Sequence, residues 1–227
     1  VARRHGAPVV EADTRLIDQV SLHAGRATMS VSTPRASYRD VTLALNGRHQ
    51  VANALVAIRT LETLDTAGVR LETADIVAGL TDVSWPARLE WLDLGEHREL
   101  LIDAAHNVAG AQALAEYLAD SGVAPLPITL AVMKDKDAGG IVSALAPVAS
   151  SFIATSVRTT RALAADALAA HIRRVAPEFE VSTVEPPDAA VRAALSAAPK
   201  AAAAGSIFFV GPLRSRLLAA GALSLRG

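Results

Sequence analysis

Apolar and polar positions change their spacing along the chain, and each change predicts an element. Residues 27–33 are rich in β-branched side chains, and residues 37–45 alternate apolar with polar, so both read as strands. Pro34 stands between them as a turn former. From His49 the period becomes helical, with Val51, Ala54, Leu55, Ile58, Leu61 and Leu64 recurring on one face up to residue 65. Gly68 is the expected stop. A short second helix follows with Thr73 as its expected N-cap, and Pro86 punctuates the chain after it. Two strands and two helices predict an incomplete unit over residues 1–84, without a self-sufficient core.

Beyond Pro86 the pattern becomes regular. Strands are expected at 88–94 and 99–103, turned by Gly95-Glu96-His97 into a hairpin. Helices are expected at 107–121, 138–146, 162–175, 189–197 and 213–220. Strands are expected at 127–133, 152–157, 179–184 and 206–210. The Ala201–Ala204 run reads as a short biased stretch. Strands alternating with helices specify an α/β fold: a Rossmann-like, mostly parallel sheet with helices on both faces. The N-terminal β-hairpin adds one antiparallel strand at an edge. The expected division is therefore 1–84 and 85–227.

Composition narrows the function classes. The 227 residues include no cysteine, which excludes a disulfide scaffold, a thiolate nucleophile and Cys-ligated metal. The 22 Lys+Arg against 23 Asp+Glu exclude a broad basic surface, and with only four Phe, two Trp and two Tyr no nucleic-acid partner is expected. The uncharged run 138–157 contains Gly139, Gly140, Pro147 and several Ser and Thr, so it reads as a buried helix, a turn and a buried strand instead of a membrane span. No signal peptide is visible, and a cytoplasmic protein is expected.

Five groups can carry chemistry. An apolar strand ends in Asp103, with His106 three residues on and Asn107 at the start of a helix. In open α/β sheets, ligands sit beyond the carboxyl ends of the strands, and a strand-end Asp can accept ribose hydroxyls. The helix N-terminus offers free N–H groups to an anion. The alternative is that Asp103 and Asn107 only satisfy backbone N–H groups at the turn. Gln50 and Asn53, one turn apart after Gly47, suit the edge of a purine, or are simply solvated amides. Arg88, after Pro86, can reach a phosphate, or pair with Glu90 or Asp93 on the surface. Lys136, in the turn Lys134-Asp135-Lys136-Asp137, can neutralise an anion, or belong to a solvated charged turn with Asp137 as a helix cap. Gly205 and Ser206 enter what reads as a buried strand. No phosphate loop, G-x-G-x-x-G, G-x-S-x-G or H-E-x-x-H is present. His5, His23, His97 and His171 lack ligand-like spacing, and no metal site is expected in the chain.

In order, Gly47-x-His49-Gln50-x-x-Asn53, Pro86-x-Arg88-Leu89-Glu90, Asp103-x-Ala105-His106-Asn107, Asp135-Lys136-Asp137 and Gly205-Ser206-Ile207-Phe208 resemble the C-terminal half of folylpolyglutamate synthase/dihydrofolate synthase, a branch of the Mur ligase family. The resemblance runs from about Gly6. It implies that residues 1–84 are the tail of a central ATP-binding domain and that 85–227 are a C-terminal glutamate-ligase domain. It implies ATP-dependent ligation of L-glutamate to a folate or dihydropteroate carboxylate through an acyl phosphate, with Mg²⁺. Gln50 and Asn53 then resemble adenine contacts, Arg88 the phosphate arginine and Asp103 the ribose carboxylate. His106 and Ser206 resemble the glutamate pocket, with Lys136 and Asn107 as weaker candidates. No residue resembles a general base or nucleophile, so no catalytic residue is assigned within the chain.

Two departures stand out. Ala87 replaces the usual Gly of Pro-Gly-Arg, which puts the approach of Arg88 in doubt if that position needs positive φ. The family's phosphate loop, Mg²⁺ ligands and folate pocket are not among these residues, so the chain by itself is expected to be inactive. The full-length protein is expected to be a monomer without a membrane partner. Two other readings stay open: a Mur-family ligase acting on a muropeptide, and a stand-alone, non-catalytic Rossmann-like binding domain.

Overall fold

The computed structural model describes residues 5, 9–65 and 68–225; Gly6, where the resemblance begins, lies outside them. The chain divides into two compact units, Val1–Ser84 and Trp85–Gly227.

The first unit is a three-stranded antiparallel sheet, β1 (Ile17–His23), β2 (Arg26–Ser32) and β3 (Ser37–Thr42), with helices α1 (His49–Asp65) and α2 (Thr73–Asp82). Two strands were expected and three are found; the unit also has a buried apolar cluster, whereas no self-sufficient core was expected. β1 carries mostly polar, exposed side chains, so its sequence lacks a legible apolar alternation. It joins β2 through Ala24 and Gly25, both at positive φ, as a two-residue hairpin turn requires. Met29, Val31, Tyr38, Leu55 and Ile58 are among the buried residues of a core belonging to this unit. α2 starts at Thr73, but Glu72 is the cap residue, its N–H donating to Asp75 Oδ2 at 2.9 Å.

The second unit is a seven-stranded sheet. In chain order it contains β4 (Glu90–Asp93), β5 (Glu99–Ile102), α3 (Val108–Asp120), β6 (Leu126–Leu130), α4 (Ala138–Leu145), β7 (Ala149–Ala154), α5 (Ala165–Val175), β8 (Val181–Thr183), α6 (Pro187–Ala197), β9 (Lys200–Ala204), α7 (Ile207–Ala219) and β10 (Leu223–Leu225). The spatial order is β10-β4-β5-β9-β6-β7-β8; β5, β9, β6, β7 and β8 are parallel and β4 is antiparallel to both its neighbours. One apolar cluster joins the sheet to α3, α4 and α5, and another joins it to α6 and α7. This is the expected α/β architecture with both faces covered. The run 138–157 is α4, a turn at Ala146–Val148 and β7, and no helix among the described residues is long and apolar enough to cross a membrane.

Two expectations fail at the C-terminal end. The run Ala201–Ala204 is not a biased stretch but most of β9, buried between β5 and β6. Residues 206–210 are not a strand but the cap and first turn of α7, and the predicted start at 213 is too late. Packing overrides propensity here. A strand covered by helices on both faces leaves room for methyl side chains, although alanine has low strand preference by itself. Gly205, at φ +106°, makes the break; a Cβ there would lie 2.6 Å from the Ala131 carbonyl oxygen. β10 lies outside β4, so the hairpin strand is not the sheet edge.

Candidate functional site

β5, β9 and β6 end side by side, with Ile102 beside Ala203 and Leu130 beside Ala204. The chain leaves β5 and β6 for α3 and α4 on one face, and leaves β9 for α7 on the other. The carboxyl end of β9 is thus a topological switch point, where open α/β sheets bind ligands.

Asp103 continues β5 into this end. Its Oδ2 accepts the Leu89 N–H at 2.8 Å and its Oδ1 accepts the Ala105 N–H at 2.7 Å. The turn-satisfying alternative for Asp103 is therefore realised in the structure. Burial pushes its carboxyl above the ordinary carboxylate range, against those two hydrogen bonds and the nearby charges of Arg88 and His106. His106 is exposed, with Nδ1 2.9 Å from the Ala104 carbonyl oxygen. A carbonyl only accepts, so Nδ1 carries the hydrogen of this contact. Asn107 caps α3, its Oδ1 accepting the Gly110 N–H at 2.7 Å. The N–H groups of Val108 and Ala109, one and two positions into the helix, have no intrahelical acceptor.

The segment preceding β4 is tied to the same strand end. Ala87 O accepts the Ala104 N–H at 3.0 Å, and Ala87 N–H donates to Glu90 Oε2 at 2.7 Å. Ala87 is buried at φ +57°, and Leu89 at φ +46°. The alanine thus adopts the left-handed conformation that a glycine would take freely, at a cost of about 1–2 kcal/mol. Between them Arg88 is exposed, and among the described residues it makes no hydrogen bond or ion pair. Its guanidinium stands 5.6 Å from the Trp85 ring centroid. The alternative of pairing with Glu90 or Asp93 is corrected: Glu90 is taken by Arg214, whose Nε and Nη2 donate to its two oxygens at 2.7 and 2.9 Å.

Ser206 is buried and caps α7, its Oγ accepting the Phe208 N–H at 3.2 Å. α7 is consequently a second helix whose N-terminus opens at the switch point. The charged turn after β6 is internally paired. Lys136 Nζ lies 3.2 Å from Asp135 Oδ2, Arg161 Nη2 lies 3.3 Å from Asp135 Oδ1, and Lys134 Nζ donates to Thr160 O at 3.0 Å. Asp137 caps α4 through the Gly140 N–H at 2.8 Å. The solvated-turn alternative thus describes most of this group.

In the first unit, Gly47 turns at φ +99° into α1. Gln50 is buried, not solvated as the alternative reading had it; Nε2 donates to His49 Nε2 at 3.0 Å, and Oε1 accepts from Asn53 Nδ2 at 3.1 Å. This chain fixes the amide orientation and leaves the Asn53 Oδ1 edge outward on an exposed residue. No group of three or more His, Asp or Glu able to hold a metal occurs among the described residues.

The second unit thus brings Arg88, Asp103, His106, Asn107 and Ser206 to one sheet end. Sequence reasoning missed Arg214 and Ser224, which meet at Glu90. No local pattern links residues so far apart in sequence.

Comparison with known proteins gives the same direction. Residues 87–210 match the family model described as Mur ligase, glutamate ligase domain. Over 135 residues the chain is 41% identical to dihydrofolate synthase/folylpolyglutamate synthase of Mycobacterium tuberculosis, covering 58% of this chain and 27% of that protein. The enzyme of the same description from Bacillus subtilis is 26% identical over 95% of this chain and 50% of its own length. The solved folylpolyglutamate synthase of M. tuberculosis complexed with ADP superposes with a TM-score of 0.84 at 31% identity, over 95% of this chain and 50% of that one. The chain spans half or less of the length of these relatives.

Proposed function

Because the chain belongs to the Mur ligase family through its glutamate ligase domain, we propose that it is the C-terminal half of an ATP-dependent ligase that joins L-glutamate to a folate or dihydropteroate carboxylate. A carboxylate oxygen attacks the γ-phosphorus of ATP and ADP leaves. The glutamate amine then attacks the acyl carbon of the acyl phosphate, the C–O bond to the phosphoryl oxygen breaks, and inorganic phosphate leaves, taking up the proton the amine loses. Residues 1–84 are read as the tail of the ATP-binding domain. The phosphate loop and the acceptor pocket are supplied by residues outside this sequence, and the chain by itself is expected to be inactive.

One observation carries the reading. Arg88 has its donors uncommitted, while the backbone on both sides of it is tied to the strand end that carries Asp103, His106 and the start of α3. A guanidinium held this way suits phosphate oxygens, and positioning with charge neutralisation is what such a transfer needs. Asp103 is assigned to the ribose, in addition to its two backbone bonds, since each carboxylate oxygen has a second lone pair. Gln50 and Asn53 are assigned to adenine, the buried Gln50 holding the Asn53 amide in orientation. His106 is assigned to the incoming glutamate, and Ser206 with the α7 N-terminus suits its carboxylate. Lys136 and Asn107 are secondary candidates, Lys136 being paired with Asp135. Mg²⁺ accompanies ATP in this reading, and no step above is assigned to an ion ligated here. The relative solved with ADP and the glutamate ligase description of the family model support this reading.

The test is ADP release by the full-length protein with Mg²⁺, ATP and glutamate, run against dihydropteroate, tetrahydrofolate and muropeptide acceptors. Glutamate-dependent release with a folate is expected. Release with a muropeptide alone moves the protein to another branch, and no release with any acceptor removes the ligase reading.

A further inference from the structure

Among the described residues of the second unit, the Glu90 carboxylate accepts four hydrogen bonds. Its side chain is 9% exposed. It accepts both prongs of the Arg214 fork, the Ala87 N–H at 2.7 Å and the Ser224 hydroxyl at 2.6 Å. Arg214 lies on α7 and Ser224 on β10, so two elements late in the chain converge on the segment that presents Arg88.

Arg88 is two residues from Glu90 and, among the described residues, makes no hydrogen bond or ion pair; its guanidinium stands over the Trp85 ring. What keeps it free is that a better-placed guanidinium already saturates Glu90. What keeps it in place is the backbone on either side, Ala87 and Leu89 both left-handed, tied by three hydrogen bonds. Two of these come from the loop after β5; the third, to the Ala87 N–H, comes from Glu90.

Resting on the reading of Arg88 as the phosphate contact, we propose that Arg214 is a positioning residue that acts through Glu90 to keep Arg88 available to the nucleotide. Remove Arg214 and a buried carboxylate loses its counter-charge. The nearest substitute cation on the same segment is Arg88. Capture of Arg88 by Glu90 withdraws it from ligand and releases Ala87 from its strained conformation. The predicted lesion is specific: ATP is affected and glutamate is not.

The test uses the full-length ligase and measures KM for ATP and for glutamate separately. Arg214→Met is expected to raise the ATP KM about tenfold, the scale of one charged hydrogen bond, with the glutamate KM unchanged. Adding Glu90→Gln to Arg214→Met is expected to recover most of the loss. The glutamine no longer attracts Arg88, yet its carbonyl oxygen still accepts the Ala87 N–H. If Arg214→Met does not fold, Arg214→Lys replaces it, keeping the charge without the two-pronged geometry, and a smaller rise confined to ATP is expected. An unchanged ATP KM, an equal rise in both constants, or no recovery in the double variant overturns the proposal. If the unsubstituted enzyme releases no ADP, the reading of Arg88 falls and the proposal with it, before any variant is compared.

Discussion

Ala87 shows how far a single side chain departs from what its backbone prefers. Its φ of +57° is a glycine conformation occupied by alanine. Ala87→Gly removes about 1–2 kcal/mol of local strain but adds unfolded-state freedom and deletes a buried methyl, so a change within about 1 kcal/mol is expected in urea melts. Ala87→Val, β-branched at the same φ, is expected to lose about 2 kcal/mol or more. Asp103 carries a double duty. Asp103→Ala is expected to weaken ATP use by about 1.5–3 kcal/mol, read from kcat/KM. It should also lower the melting temperature, because the Leu89 and Ala105 N–H groups lose their acceptor. His106→Ala should act on the glutamate KM; a selective effect on ATP would reverse its assignment. Glu90 sets a pH dependence. Burial acts to raise its pKa, but Arg214, the Ala87 N–H and Ser224 outweigh it, and the carboxyl lies below its ordinary 4.5. A depressed folded pKa contributes stability above the unfolded value that is lost as pH falls through the folded one. Glu90→Gln is therefore expected to flatten the loss of stability below about pH 4.5, measured by melts across pH; a slope equal to the parent's would contradict this.

Elements were legible where a periodic apolar face or a cap announced them. α1 runs over the residues that its spacing predicts, and α3 and α4 begin within a residue of their expected starts, at Asn107 and Asp137 caps. The failures share one cause. β1 is nearly all exposed, and β9 is alanine between two neighbours, so neither has the contrast that periodicity needs. Gly205 ends β9 where its missing Cβ admits the Ala131 carbonyl, and Gly140 admits Val108 Cγ2, 2.7 Å from where a Cβ would stand. Gly140→Ala would force α4 away from the start of α3 and crowd the Asp137 cap. A loss of about 1–3 kcal/mol is expected in chemical denaturation, and a neutral result would show that the two helices separate freely.

At the scale of the whole molecule, each unit has its own buried cluster, and the second has one on each face of its sheet. Residues 85–227 expressed alone are expected to unfold in one cooperative transition, with a urea m-value of about 1–3 kcal/mol/M, followed by circular dichroism. A broad, non-cooperative melt would mean that this unit depends on residues outside it. The near-zero net charge fits the site. Its candidate anion groups are Arg88 and two helix N-termini, with Lys136 secondary, and 22 Lys+Arg stand against 23 Asp+Glu in the chain.

Three features were legible from residues 1–227 alone: the alternation of strands and helices, the covered parallel sheet, and the strand end at which Asp103, His106 and Asn107 gather. Those follow from local period and from residues adjacent in the chain. Tertiary structure alone decided that an alanine run is a central strand, that Ser206 caps a helix, and that Arg214 takes Glu90 away from Arg88. Each depends on partners distant in sequence, where burial and competition between charges settle what propensity and spacing leave open.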